Sequence, residues 1–480
     1  MPPVQIRVDS RLRIPLAGLP EPVGDALRAA TTHPNPNWPS KDPDEPAVFR
    51  TWRHEGDDLT LPRGSMSRVR EVLRANGLRW SVEDLRTWRH PAPNFPDHRL
   101  ELRSFQGPMV DAMLAKQNCL VHGSTGSGKT TAALAFLARL KRRSLVVVWT
   151  AALAKQWRDR CVSELGIHPD DVGEVRGSTT RVSPWITIAM QQSLHARFQR
   201  GDRELASAFD VVVADETQRF AAETLFASID PLASRYRIGV SADSTRHDNL
   251  EFLTYDLFGQ VACEVTEAEA IAAGATVDVE IYVVPTTFRA DWYRYRTDFN
   301  RLLAQMTEDE ERNALVLKIA RTIVEQGEQV LLFTHRIEHA RTLDSKLVGM
   351  GIRSGVLLGG KEQEVAFERA AAGFRSGDHR AGVGTYGAIA QGIDLPSVSR
   401  GILITPISNN RQQINQCRGR ICRASGDKGF GRLYVLLDGA IYQKKPVRNF
   451  VAWFPRVKVW DGAEWVDGAA WLKRSGARAA

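Results

Sequence analysis

Within this 480-residue chain, the stretch Gly123-Ser124-Thr125-Gly126-Ser127-Gly128-Lys129-Thr130 limits the possible folds most. It follows a short apolar run, Cys119-Leu120-Val121, that suits a buried strand, and precedes an alanine- and leucine-rich segment that suits a helix. This is the G-x-x-x-x-G-K-[ST] phosphate loop in the context that gives the pattern meaning. Gly126 and Gly128 let the backbone curl until successive N–H groups point at one phosphate, and the positive end of the next helix adds to that field. Lys129 is placed to reach terminal phosphates, and the Thr130 hydroxyl to hold magnesium. A strand–loop–helix unit of this kind needs a parallel sheet around it.

The flanking sequence supplies one. From about 101 to 270 strand-like and helix-like segments alternate, as in an α/β sheet. Strands are expected at Leu145–Thr150, Trp185–Ala189 and Phe209–Glu216. The last of these ends in Asp215-Glu216 at its carboxyl end, where α/β sheets bind ligands. Asp215 is expected to hold the metal and Glu216 to polarise water. Residues 271 to about 325 read as a connection leading into a long helix. The alternation resumes with strands expected at Val330–Thr334, Gly355–Leu358, Ala381–Gly384, Gly401–Ile404 and Leu433–Leu437. No second phosphate loop occurs there. The division this gives is an N-terminal accessory domain at 1–100, a nucleotide-binding lobe at 101–270, a second lobe at 271–440 and a basic, Trp-rich extension at 441–480.

In the N-terminal domain, Val4–Val8 alternates like a strand and Phe49–Leu61 like a hairpin turning at Gly56-Asp57, while Ser67–Ala75 has helical spacing. Thr32–Pro46 is rich in Pro, Asn and Asp and reads as a loop. The pentapeptide Arg-Thr-Trp-Arg-His occurs at 50–54 and again at 86–90. It admits two readings, contacts for bases and phosphates or coincidence, and coincidence is preferred because two copies do not make a repeat architecture. Near the other end, Val457–Trp460 and Glu464–Val466 flank Asp461-Gly462, a hairpin turn signal.

Composition excludes several classes. With 43% hydrophobic and 25% charged residues the chain is an ordinary globular one rather than a disordered one. No apolar run is long enough to span a bilayer, and Met1–Arg13 lacks the apolar core of a secretion signal. The odd count of 5 cysteines, none in a C-x-x-C pair, fits reduced thiols in a cytoplasm. The net charge of +8 suits a polyanionic partner. It is concentrated from Arg411 onward, with 14 Lys and Arg against 5 Asp and Glu. Interleaved with Trp453, Trp460, Trp465 and Trp471, these charges form either a nucleic-acid surface or the outside of a packed hairpin.

Positive charge for phosphate chemistry is best placed in Gln416-Cys417-Arg418-Gly419-Arg420-Ile421-Cys422-Arg423, where Arg420 and Arg423 stand three apart on a helix face. At this point the motif series resembles that of superfamily 2 helicases and translocases. Gly123–Thr130 is similar to motif I, the Gln156-Trp157 region to motif Ia and Asp215-Glu216-Thr217-Gln218 to the DExx box. Ser241-Ala242-Asp243 lies where motif III belongs, and Leu331–Thr334 resembles motif IV. Gly392-Ile393-Asp394-Leu395-Pro396 resembles motif V, and Gln416–Arg423 matches the Q-x-x-G-R-x-x-R of motif VI. Leu102–Gln106 resembles the adenine-reading element of the XPB-like and phage UvsW-like branch, and Pro62-Arg63-Gly64 its N-terminal region. Gln218, Asp243 and Ser244 depart from the commoner family residues; a Gln218–Asp243 hydrogen bond is expected to compensate, the alternative being Asp243 turned to solvent or bound to Arg246.

The resemblance implies two RecA-like lobes in tandem, flanked by a small N-terminal α+β domain and a short C-terminal β-hairpin extension. It implies ATP and Mg2+ as ligands. Lys129, Asp215, Glu216, Arg420 and Arg423 would be catalytic. Gln106, Gly123, Ser124, Thr125, Gly126, Ser127, Gly128, Lys129, Thr130, Asp394 and Gln416 would bind nucleotide, and Thr130 and Asp215 would bind the metal. The implied function is ATP-dependent unwinding or remodelling of forked or branched DNA in replication, recombination or repair. Two alternatives stay open, an RNA helicase and an ATP-switched nucleic-acid clamp or annealing protein. The expected partner is nucleic acid, DNA before RNA. The expected state is a monomer in a bacterial or phage-infected cytoplasm, with no membrane.

Overall fold

The periodic segments resolve into two large, mostly parallel sheets in a computed structural model of the chain, which describes residues 2–39, 46–86, 88–91, 94–96, 100–124, 126–220, 222–242, 249–293, 298–392, 395, 398–407, 411–421, 430–442 and 444–477. The chain divides into two units, Met1–Glu269 and Ala270–Ala480.

The first unit opens with a small α+β domain. Its strands are β1 (Val4–Val8), β2 (Arg11–Pro15), β3 (Thr32–Pro34), β4 (Val48–Arg50), β5 (Arg53–Glu55), β6 (Asp58–Pro62) and β7 (Trp80–Asp84). They form a five-stranded sheet in the order β5-β6-β2-β1-β7 and a β3-β4 ribbon. Period-two alternation points Ile6, Val8, Leu12, Ile14, Leu59 and Leu61 at one face. There they pack on Val23 and Leu27 of the Glu21–Ala29 helix and on Val69 and Leu73 of the Met66–Ala75 helix. Gly56 takes the positive φ of 61° that the hairpin turn requires. The loop expected over 32–46 contains β3, because Thr32, His33 and Pro34 pair with β4.

The larger sheet of this unit comprises β8 (Asn118–Gly123), β9 (Ser144–Val148), β10 (Gly173–Arg176), β11 (Thr179–Arg181), β12 (Ile186–Met190), β13 (Val211–Asp215), β14 (Tyr236–Ser241) and β15 (Val261–Val265). Their order is β11-β10-β12-β9-β13-β14-β8-β15, and every pairing is parallel except β10 with β11. Both faces are covered. Val146, Val148, Val213 and Ile238 meet the Lys129–Leu140 and Ala151–Leu165 helices on one side. Leu145, Val147, Val212 and Ala214 meet Leu225, Leu253 and Leu257 on the other. Burial on two faces is why these strands read as continuous apolar runs.

The small domain is fastened to this sheet through buried polar groups. Arg11 pairs with Asp230 at 2.5 Å. Arg63 donates to the carbonyls of Ser234 and Arg235. Asp256 accepts from Arg68, Thr51 and His33. Gly64 is pressed so closely on the Glu251–Phe258 helix that an added Cβ would stand 2.1 Å from the Tyr255 carbonyl oxygen. Both Arg-Thr-Trp-Arg-His copies also spend residues here. Arg53 reaches Asp230 at 3.5 Å. Trp88 stacks on Tyr236 under the Arg142 and Arg235 guanidinium groups, and the Arg89 N–H donates to Asp210.

The second unit holds β16 (Val279–Pro285), β17 (Val330–Thr334), β18 (Ser354–Leu357), β19 (Ala381–Thr385), β20 (Arg400–Leu403), β21 (Gly431–Leu437), β22 (Val457–Trp460) and β23 (Trp465–Asp467). Their order is β18-β19-β17-β20-β21-β16-β22-β23, parallel apart from the β22–β23 hairpin. The stretch expected as a connection therefore contributes β16, an interior strand whose Val279, Ile281 and Val283 enter the core. The C-terminal hairpin continues the sheet beyond β16. Trp453 and Trp471 pack on that same core, and Trp465 sits edge-on to Tyr282 and to Trp460. The tryptophans are thus mainly packing residues, although Trp465 stays 38% exposed.

Candidate functional site

The phosphate loop leaves the carboxyl end of β8, and Lys129 opens the Lys129–Leu140 helix. Gly126 and Gly128 have φ of 88° and 79°, the left-handed region that a side chain resists. An added Cβ at Gly128 would lie 2.2 Å from the Gln106 amide nitrogen, and one at Gly123 would lie 2.8 Å from Ser127 Oγ. Lys129 is buried, and its ammonium donates to the carbonyls of Gly123 at 2.8 Å and Ser124 at 3.3 Å. The lysine charge is thus already inside the curl of the loop. Among the described residues, the Ser124 and Ser127 hydroxyls are buried without hydrogen-bond partners. Buried orphan hydroxyls in a loop with an ammonium at its centre fit an anionic ligand. Thr130 follows in the first helical turn, half-buried. Thr125 lies outside the described residues.

Gln106 braces this loop. Its amide nitrogen donates to the carbonyls of Ser127 and Gly128 at 3.3 and 3.2 Å, and its oxygen accepts from the Arg103 N–H at 2.8 Å. In this arrangement the amide expected to read adenine is committed to the loop and to its own turn.

The carboxylates stand level with the loop. In register, Asp215 lies beside Val240, and Ser241 beside His122. Only β14 separates β13 from β8, so at about 4.8 Å per strand their ends are about 10 Å apart. Asp215 is buried and accepts from the Trp157 indole N–H at 2.8 Å. Burial, then the neighbouring Glu216 charge, pushes its carboxyl up to about 6, while Trp157 and Lys129 pull the other way. Glu216 has φ 56° and ψ 47°, left-handed for a non-glycine residue. Such strain persists only where the surroundings enforce it, commonly at functional positions. Here Gln218 helps enforce it: its amide nitrogen donates to Glu216 Oε2, and its oxygen accepts from Ser241 Oγ at 2.6 Å. The link from the end of the DExx box to the end of β14 therefore runs through Ser241. Asp243, expected to bond Gln218, lies outside the described residues with Ser244, Arg246 and Asp248.

In the second unit, the Arg411–Ile421 helix buries Ile414, Cys417, Arg418 and Ile421. Arg418 turns inward, its guanidinium 4.6 Å from the Phe454 ring centroid. Gln416 and Arg420 stand four residues apart on the partly exposed stripe, as helical periodicity demands. Arg423 and Asp394 lie outside the described residues. Trp157 and Ser241 have no role assignable from the motif pattern alone. A tryptophan in a helix bound for the core was the available signal, since a buried indole N–H needs an acceptor.

Comparison with known proteins agrees with this geometry. The family model described as type III restriction enzyme, res subunit, matches residues 99–246, and the helicase conserved C-terminal domain matches residues 312–425. The DNA 3'-5' helicase XPB of Kineococcus radiotolerans is 26% identical over 401 residues, 80% of this chain and 68% of that protein. The probable helicase D10 of Escherichia phage T5 is 22% identical over 359 residues, 74% of each chain. Yeast Dbp5 bound to RNA and ADP BeF3 shares the fold with a TM-score of 0.55 at 13% identity, covering 78% of this chain and 93% of that one. The two family models fall in tandem on the two large sheets, and the first spans both the phosphate loop and the DExx carboxylates: the chain belongs to superfamily 2 of the helicases and translocases.

Proposed function

We propose that this chain is an ATP-driven DNA helicase or translocase that unwinds or remodels forked or branched DNA. The observation that carries the reading is the placement of Lys129 and the Asp215–Glu216 pair at one carboxyl edge of one sheet. Lys129 and the loop N–H groups hold the β- and γ-phosphates. Thr130 and Asp215 hold Mg2+, which when bound neutralises phosphate charge. Glu216, fixed by Gln218, orients the attacking water. Gly123, Ser124, Thr125, Gly126, Ser127 and Gly128 form the phosphate cradle, and Gln106 braces it. Arg420 and Arg423 supply positive charge to the transition state, and Gln416 and Asp394 complete the nucleotide contacts. The basic surplus from Arg411 onward suits a DNA backbone. Relatives named as DNA 3'-5' helicases favour DNA over RNA and suggest that direction of travel. We further propose the four-part division at 100, 270 and 440, a monomer, and action in a bacterial or phage-infected cytoplasm. No described helix is long and apolar enough to cross a membrane.

The test is ATP hydrolysis measured with single-stranded, duplex and forked DNA and with RNA, followed by strand separation on duplexes tailed at either end. Stimulation by DNA, greatest with forks, and opening from a 3′ tail are expected. Stimulation by RNA alone would replace the reading with an RNA helicase. Stimulation without strand separation or displacement would leave a clamp.

A further inference from the structure

Trp157 has no part in the function proposed above, yet it touches the carboxylate at its centre. It lies in the second turn of the Ala151–Leu165 helix and is fully buried. Its indole packs in the core formed by Ala132 and Ala133 of the phosphate-loop helix and Val146, Val148 and Val213 of the sheet. Packing on all sides fixes the ring, so the direction of its N–H is fixed too. That N–H donates at 2.8 Å to Oδ2 of Asp215, itself buried. A buried indole needs an acceptor, but any backbone carbonyl would serve. A bond to the carboxylate instead holds that group in one setting, with Oδ2 committed to the indole and the Glu216 N–H as a further donor.

We propose that Trp157 is a positioning residue for Asp215: its N–H holds Oδ2 and so fixes the orientation in which the carboxylate would meet magnesium, which ties the Ala151–Leu165 helix to the metal site. The inference rests on Asp215 being a magnesium ligand. Outer partners of metal ligands typically set affinity or activity by about 10–100-fold, and this donor differs from the usual one in being neutral and set in an apolar core.

The test is Trp157→Phe, which keeps most of the ring volume and removes the N–H. Binding of a fluorescent ATP analogue is titrated with Mg2+, reading binding rather than turnover, and repeated in EDTA. The expected result is an Mg2+ midpoint about tenfold higher, with affinity in EDTA and the thermal unfolding midpoint close to wild type. An unchanged Mg2+ midpoint overturns the proposal, as does an equal loss of affinity with and without Mg2+, which marks a loosened core. Asp215→Ala is the companion variant. If its Mg2+ midpoint matches wild type, the ligand assignment itself fails, separately from the role of Trp157. Should Trp157→Phe not fold, wild-type protein with 15N-labelled tryptophan serves. Mn2+ with a slowly hydrolysed ATP analogue should broaden away an indole N–H resonance, and a complete set of sharp indole signals overturns the proposal.

Discussion

At the scale of single residues, the site contrasts one group held by packing with one held by strain. Lys129 is surrounded by the loop it serves, so Lys129→Ala removes the only cation that the phosphate loop places in its own curl. Turnover is expected to vanish, with nucleotide affinity falling as well. Glu216 keeps a left-handed backbone under the grip of Gln218. Glu216→Gln preserves shape and hydrogen bonding while removing the base. It should lower turnover by about 10²–10⁴-fold and leave ATP bound, because Asp215 still offers a metal ligand. Single-turnover hydrolysis with nucleotide retention on a filter checks this, and wild-type turnover would remove Glu216 from its role. Arg420, half-buried on its helix stripe while Arg418 is buried, belongs to the same scale. Arg420→Ala should lower the hydrolysis rate by about 10³-fold or less while changing ATP affinity far less. Equal losses in both would make it a ground-state binder.

At the scale of elements, two features of the second unit lead to measurements. His339 in the Ile337–Gly349 helix is buried between Thr334, at the end of β17, and Asn313. The Asn313 nitrogen donates to the Thr307 carbonyl, so its oxygen accepts from His339 Nε2, and Nδ1 accepts from the Thr334 hydroxyl. Burial, helped by the Arg312 and Lys346 charges, holds this imidazole down to about 4 against an ordinary 6.5. A lowered histidine binds its proton more weakly folded than unfolded. Its contribution to stability is therefore whole above about 6.5 and declines as pH falls toward about 4, by up to about 1.4 kcal/mol per pH unit. Urea unfolding at pH 7 and pH 5 should show this loss, and His339→Gln should flatten it. The second feature is the pair of helices Lys445–Trp453 and Gly468–Ala477, which carry no acidic residue. Lys445, Arg448, Lys473 and Arg474 are exposed on them, and Lys444 reaches across to the Ser475 carbonyl. Deleting 441–480 would strip β22 and β23 from the sheet, so charge reversal is the cleaner probe. Lys445→Glu with Arg448→Glu and Lys473→Glu should weaken DNA binding and reduce its log–log salt slope by about 2–3. An unchanged slope in folded protein would mean that the surface carries charge without binding DNA.

At the scale of the whole first unit, the small domain and the nucleotide-binding sheet are one folded object. Three buried aspartates of the larger sheet's surround, Asp210, Asp230 and Asp256, find partners in the residues before 100. Asp256 shows the balance: burial would raise its carboxyl, yet hydrogen bonds from His33 and Thr51 and the Arg68 charge hold it below the ordinary 3.8. Removing one partner from a buried pair leaves an uncompensated charge, which costs about 3–5 kcal/mol. Arg11→Ala should lower stability by that amount, although Arg11 is far in sequence from every nucleotide-site residue. Deleting residues 1–99 should abolish soluble, cooperatively folded protein. A deletion variant that melts like wild type and hydrolyses ATP would show the small domain to be dispensable.

Much of this was legible from the chain alone, and the reason is local. The phosphate loop, β13 with its terminal carboxylates, and the exact span Val330–Thr334 follow from backbone freedom and apolar periodicity within a few residues. The Asp461-Gly462 turn of the C-terminal hairpin is just as local. Other features depended on groups distant in sequence. β16 was hidden because a seven-residue alternating run before a long helix gives no sign that β21 and β22 wait on either side of it. For the repeated Arg-Thr-Trp-Arg-His, coincidence was the preferred reading, and the partners differ accordingly: the Arg53 guanidinium answers Asp230 and the Arg89 N–H answers Asp210, carboxylates more than a hundred residues away that the chain alone does not point to. Gln106 was readable as an amide near the nucleotide, and only packing turned it onto the loop carbonyls. By itself, the sequence singled out the residues proposed for the phosphate chemistry, because that chemistry demands particular groups at fixed spacing. The tertiary structure alone decided which buried donor meets which buried acceptor, because burial forces each polar group to take the partner that the fold brings within hydrogen-bond reach.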